Sequence, residues 1–234
     1  MPADDVPGLL ATLVRTDPGR PRVTWYGAGG ERVELSGRTL DNWVAKTANL
    51  LVDEFDSGPG TRVAVRLPPH WRTVTWLLAT WATGACVVTA ADADVVVTTD
   101  PGAALAAGAA QAKVVAVALP SLATSFGPDL PDGVLDGATE VRLHGDVFVP
   151  LVTPAPGDPA LVLDGATLDH RGLLAAARAA ALPAGTRLLT AAGVEDAVAA
   201  VLAPLAVDGS VVLHDPALDA ATLARIAEQE RTTA

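Results

Sequence analysis

Short runs of uninterrupted apolar residues restrict the fold of this chain more than any other feature. RVAVRL (62–67), ACVV (85–88), DVVVTT (94–99), KVVAVAL (113–119) and SVVLH (210–214) are too short for buried helices and lack the in-out alternation of a sheet with one wet face. Strands of this kind must be covered on both faces. The stretches between them have the spacing of helices: Leu40, Val44, Ala48, Leu51 and Phe55 fall on one face, as do Trp71, Val74, Leu77, Leu78 and Trp81. Strand, helix and strand in alternation imply an α/β fold, with mainly parallel sheets flanked by helices.

Local signals set the boundaries. RVTWYGAGGERVEL (22–35) reads as two strands around a glycine turn, and Ser36 stands at a helix cap. DSGPG (56–60) and Gly84 end the two long helical stretches. A further helix is expected from Pro101 to about Ala110. PSLATSFGPDLPDGVLDG (120–137) keeps no period, so residues 120–150 read as an irregular connector between a first lobe, 1–119, and a second, 151–234. The second lobe opens with PALVL (159–163) and ATLD (166–169), two strands joined by Asp164-Gly165, the pair a two-residue type I′ turn prefers. It continues with a helix, a strand TRLLTA (186–191), a helix from Glu195 to Ala206, the strand SVVLH and a last helix from Ala217 to about Gln229. Nothing in the sequence says which of two sheets the first hairpin joins.

Composition excludes several functions. A net charge of −11 and the absence of a Lys/Arg cluster argue against nucleic acid. No apolar run approaches the ~20 residues of a membrane span. The opening MPADDVPGLLATLV has none of the basic and apolar blocks of a secretory signal, so a cytoplasmic location is expected. Lys46 and Lys113 are the only lysines, and with the high Ala, Gly, Val and Pro content this resembles the coding bias of a GC-rich bacterium. Cys86 is the one cysteine; it reads as a buried strand residue and cannot form an internal disulfide.

No constellation carries chemistry. Gly27 to Gly30 lie between strands, whereas a dinucleotide fingerprint opens a helix. Asp92, Asp94 and Asp100 read as solvated loop acids rather than cation ligands. His170 has no partner at ligand spacing, and His70, His144 and His214 are scattered over three segments. Ser121, Ser125 and Ser210 lack a nucleophile elbow. Trp71 and Trp81 fall on an apolar helix face and Trp43 beside another, as core residues do. Trp76 falls off its stripe and is expected to be exposed, as a candidate contact surface. Catalytic, cofactor-binding and metal-ligating residues are therefore expected to be none.

The succession ELSGRTLDNWVAKTANLL, GPGTRVAVRLPPHW, LLATWATGACVV, then GDPALVL, DHRGLLAAA, LAPLAVDGSVVL and IAEQERTT resembles, in order and along nearly the whole chain, the N-terminal part of the adenylate-forming (AMP-binding) superfamily. That group comprises acyl-CoA synthetases, nonribosomal adenylation domains and luciferases. In it, the strand equivalent to ALVL runs into a Gly/Ser/Thr-rich phosphate loop of the type TSGTTG-x-PKG. Here the stretch from Asp158 to His170 is shorter by roughly nine residues, about the length of that loop. The chain also stops ahead of the positions of the family's adenine-binding YG.TE segment, its ribose-binding Asp and its C-terminal domain with a catalytic Lys.

The resemblance thus implies the family scaffold without its machinery. Losing three charge-assisted hydrogen bonds to phosphate, at ~1.5–3 kcal/mol each, weakens binding by at least ~10³-fold. ATP binding is not expected, and no cofactor is implied. The expectation is a noncatalytic remnant acting as a scaffold, partner-binding or regulatory protein, with a protein partner or homo-oligomer. Two alternatives stay open: a divergent acyl- or aminoacyl-adenylate-forming ligase that works with a second subunit, and a small-molecule binding module.

Overall fold

The computed structural model describes residues 3–89, 92–108, 111–121, 123–155 and 157–233. In chain order the elements are α1 (Val6–Thr16), β1 (Pro21–Tyr26), β2 (Arg32–Ser36), α2 (Gly37–Phe55), β3 (Arg62–Arg66), α3 (Trp71–Ala82), β4 (Cys86–Val88), β5 (Val95–Thr98), α4 (Pro101–Ala106) and β6 (Lys113–Ala116). Then follow β7 (Leu135–Asp136), α5 (Gly137–Glu140), β8 (Pro159–Leu163), β9 (Ala166–Asp169), α6 (His170–Ala179), β10 (Arg187–Thr190), α7 (Ala203–Ala206), β11 (Ser210–His214) and α8 (Ala220–Glu230).

These elements form two compact units, each assembled from segments distant in sequence: Met1–Asp41, Pro68–Val74 and Arg171–Ala234 in one, Asn42–Leu67 and Thr75–His170 in the other. The first unit holds a four-stranded sheet in the order β10-β11-β1-β2. The opening hairpin joins it through β1, which runs parallel to β11 (Val23 opposite Val211) and antiparallel to β2. Arg22 is fully buried in this unit. Its guanidinium donates to the carbonyls of Asp208 and Gly209 at 2.9 and 3.1 Å and pairs with the Asp208 carboxylate at 2.7 Å, which makes the burial of a charge tolerable. Glu230, near the end of α8, is clamped by Arg187, Arg32 and Tyr26.

The second unit holds a seven-stranded sheet in the order β7-β6-β5-β3-β4-β8-β9, parallel throughout except for β9. Its strands β3, β4 and β5 are almost entirely buried, as apolar runs without alternation require. One cluster of the core joins Ala64, Cys86, Val88, Val96, Val114 and Ala116. The fold is α/β, as expected.

Several expectations need correcting. The helix from Pro101 ends at Ala106, and Ala109 and Ala110 lie outside the described residues. The stretch 120–150 is not wholly irregular: it carries β7 and α5, which Asp136 caps through Ala138 N at 2.9 Å. The segment 195–206 is helical with uneven winding, a 3₁₀ turn at Val194–Asp196, a π stretch at Val198–Leu202, then α7. Pro204 has no N–H to return to the preceding turn, and the helix widens just before it. The last helix begins at Ala220 rather than Ala217, because Asp219 caps it through Thr222 N at 2.8 Å. No helix among the described residues is long and apolar enough to cross a membrane.

Candidate functional site

The hairpin β8–β9 stands where the resemblance places a phosphate loop. β8 pairs in parallel with β4 (Val87 opposite Leu161) and antiparallel with β9 (Leu163 opposite Ala166). Asp164 and Gly165 both have positive φ, 48° and 81°, the signature of a type I′ turn. The tip from Asp164 to Thr167 is exposed. From Pro159 to His170 there is no Lys, Arg or Ser; the only hydroxyl is that of Thr167, and the residue at the tip is an acid. A triphosphate would meet a carboxylate there, and no file of backbone amides.

The base of the hairpin is anchored by two buried side chains. Trp81 Nε1 donates to the Ala160 carbonyl at 2.8 Å. His170 Nε2 lies 3.0 Å from the Gly84 carbonyl, which can only accept, so the ring carries its proton on Nε2 at this contact. His170 therefore ties the start of α6 to the turn after α3. Gly84 has φ +85°, and a Cβ there would lie 3.2–3.3 Å from Pro59 and Pro154. This histidine holds backbone.

The other candidates are spent separately. Asp92 pairs with Arg62 at 2.8 Å, Asp94 accepts from Arg62 N at 2.8 Å, and Asp100 caps α4 through Ala103 N at 2.9 Å. Gly27 to Gly30 form the turn between β1 and β2. Ser210 Oγ accepts from Arg187 at 2.9 Å; Ser125 is exposed and Ser121 half-buried. His144 pairs with Asp53 at 3.1 Å, and His214 Nδ1 lies 2.9 Å from the Asp215 carbonyl. Among the described residues, no three His, Cys, Asp or Glu side chains are grouped to hold a metal. Cys86 is buried, and burial pushes its thiol pKa up, against the opposing effect of Arg62.

Trp76 corrects the sequence reading: it is 3% exposed, not a surface contact. Every residue of α3 is buried, so the helix has no wet side for an off-stripe residue to occupy. Its threonines look polar in sequence but return their hydroxyls to carbonyls, Thr73 to Pro68 at 2.6 Å and Thr80 to Trp76 at 2.8 Å. His70 is a core residue as well. It is 2% exposed and stacked edge-on to Trp25 at 4.8 Å; its Nδ1 accepts from Arg72 N at 3.1 Å, while Nε2 is buried without a hydrogen-bond partner among the described residues. Burial, with the nearby positive charge of Arg72, lowers its pKa to about 4.

The comparisons with known proteins agree with this picture. The family model "AMP-binding enzyme" matches residues 10–141. A TIGR03089 family protein of Mycobacterium tuberculosis is 42% identical over 224 residues, covering 90% of each chain. Among solved structures, a Brucella canis acyl-CoA synthetase superposes with TM-score 0.78 at 21% identity, over 98% of this chain and 46% of that one. An artificially fused adenylation–PCP di-domain, NpsA-ThdA from Klebsiella oxytoca, gives TM-score 0.70 at 19% identity, over 98% and 42%. The chain thus spans less than half the length of these solved structures, and nine tenths of the mycobacterial relative. On the family model and the mycobacterial relative together, the chain belongs to the AMP-binding enzyme family.

Proposed function

We propose that this chain is a noncatalytic member of its family, using the α/β scaffold to bind a protein partner rather than to activate a carboxylic acid. The observation that carries this reading is the tip of the β8–β9 hairpin, a two-residue exposed turn with Asp164 at its apex. Phosphate binding needs converging amides and a cation, and this turn offers one acid and two residues already committed to positive φ. Nothing in the local geometry is damaged: the hairpin is complete without a longer tip.

The test is nucleotide binding and turnover by the purified chain. With ATP and Mg²⁺ over a panel of carboxylic acids, pyrophosphate exchange should stay at the level of a no-protein control, and ATP or AMP at 1 mM should leave the melting temperature unchanged. The rival, an adenylate-forming ligase completed by a second subunit, predicts a nucleotide-dependent shift in the isolated chain. Such a shift, or exchange above background, would overturn the proposal.

A further inference from the structure

The second unit has one surface unlike the rest. Residues 147–152, VFVPLV, run without regular structure, and Val147, Val149, Leu151 and Val152 are 59–84% exposed, with Leu143 at 74% just ahead of them. Isolated exposed apolar residues are ordinary; a contiguous strap of this kind marks a contact surface. The strap is tied to α2 at its start: Lys46 donates to the His144 carbonyl, and Asn49 Nδ2 donates to the carbonyls of Gly145 and Val147 at 2.9 and 3.0 Å. Beyond it, Ala155 N donates to the Asp158 carboxylate at 2.7 Å within a local turn. The strap is therefore anchored at its start, and its apolar side chains stand exposed beyond that anchor.

Beside the strap lies a cavity of about 140 Å³, lined by Val52, Ser57, Thr83, Phe148, Leu151 and Val152, with Gly58 and Asp56. Its size decides what can enter. Metabolite sites run to ~300–1,000 Å³, whereas a cavity of ~150 Å³ accepts one benzene ring. One apolar side chain fits; a nucleotide or an acyl-CoA does not. Ser57 lines this cavity and is 5% exposed, and its hydroxyl has no hydrogen-bond partner among the described residues. The site is also remote from the hairpin tip. Ser57 and Thr83 precede β3 and β4, whereas Asp164 follows the parallel strand β8, about 16 Å away along five residues.

Charge selects the occupant. Asp56 lines the cavity, Asp53 and Glu54 lie in the last turn of α2, and Asp146 opens the strap. That turn carries no basic residue, and its carbonyl end adds negative potential. The cations nearby are engaged: Lys46 on the His144 carbonyl, and Arg142 on the carbonyls of Ala123, Thr124 and Ala138 while it faces the Trp43 ring at 5.9 Å. A second copy of a chain with net charge −11 would bring the same acids to the same place.

We infer that the strap 147–152 and its cavity form a docking site for a protein segment that inserts one aromatic or branched apolar side chain beside Leu151 and flanks it with Lys or Arg facing Asp53, Glu54, Asp56 and Asp146. This deepens the partner-binding reading and rests on it, but uses none of the hairpin's chemistry. The nucleotide assays and the test below therefore fail independently.

The test is selection of random twelve-residue peptides displayed on phage against the full chain, followed by titration of synthetic copies of the enriched peptides. The expected consensus is an apolar residue with Lys or Arg within two positions, binding with micromolar Kd. Leu151→Asp should weaken binding at least tenfold, and Asp56→Asn with Glu54→Gln at least threefold, with circular dichroism and melting temperature unchanged; Asn keeps a residue that tolerates the positive φ at position 56. Val147→Asp serves as a second strap variant should Leu151→Asp alter the fold. Absence of enrichment, an acidic consensus, or equal binding to the strap variants would overturn the inference. So would sedimentation equilibrium showing a homodimer that Leu151→Asp dissociates, because the surface would then belong to a second copy.

Discussion

Trp76, His70 and Glu230 are the single side chains whose replacement should be felt most directly. Trp76 is buried, within 3.4 Å of where a Cβ on Gly137 would sit, so Trp76→Ala should cost about 3–5 kcal/mol, read as a lowered urea midpoint. His70 has a folded pKa of about 4 against an ordinary value of 6.5. The unfolded chain binds that proton first, so the stability it contributes is complete above pH 6.5 and is lost as pH falls toward 4. The loss amounts to about 3 kcal/mol and should be absent in His70→Leu, measured by urea titrations between pH 7 and pH 4. Burial pushes the Glu230 carboxyl up, but hydrogen bonds from Tyr26, Arg187 and Arg32 outweigh it and hold the group below its usual range. Its contribution is present above the unfolded value of 4.5 and disappears as pH falls through the depressed folded one. Glu230→Gln should therefore cost about 2 kcal/mol at pH 7 and nothing once both states are protonated. None of the three is marked by spacing: their importance comes from Tyr26 and Arg32, far away in sequence, for Glu230, from the Trp25 ring for His70, and from a helix without a wet face for Trp76.

At the scale of elements, the β8–β9 hairpin is the most informative piece. Asp164-Gly165 announces its turn in the sequence, because two successive positive φ values are a local demand that few residue pairs meet without strain. Gly165→Val should cost about 1–2 kcal/mol, detected as a lower melting temperature, with the exposed tip leaving room for the side chain. Replacing the pair by a flexible loop of roughly eleven residues should cost only about 1.5 kcal/mol of closure entropy and leave the circular dichroism spectrum intact. Strands and the long helices were legible for the same reason as the turn: their signals are written within a few residues. The π stretch before Pro204 was not, since how a helix absorbs a missing N–H depends on what packs around it.

For the molecule as a whole, net charge −11 means that self-repulsion opposes the compact state. Raising NaCl from 50 to 500 mM should raise the melting temperature by a few degrees, checked by differential scanning calorimetry, as the Debye length falls well below the spacing of surface charges. The order of apolar runs and helical stretches determined the α/β class and the mainly parallel sheets, and the Asp164-Gly165 pair determined its own tight turn, because backbone preference and burial periodicity are local properties. Only the tertiary structure decided that the first hairpin joins β11, that both units interleave distant segments, that α3 is buried on every side, and that 147–152 stands out as an apolar strap beside a cavity of one side chain's size. Those outcomes depend on which surfaces meet after collapse, and no window of neighbouring residues contains that information.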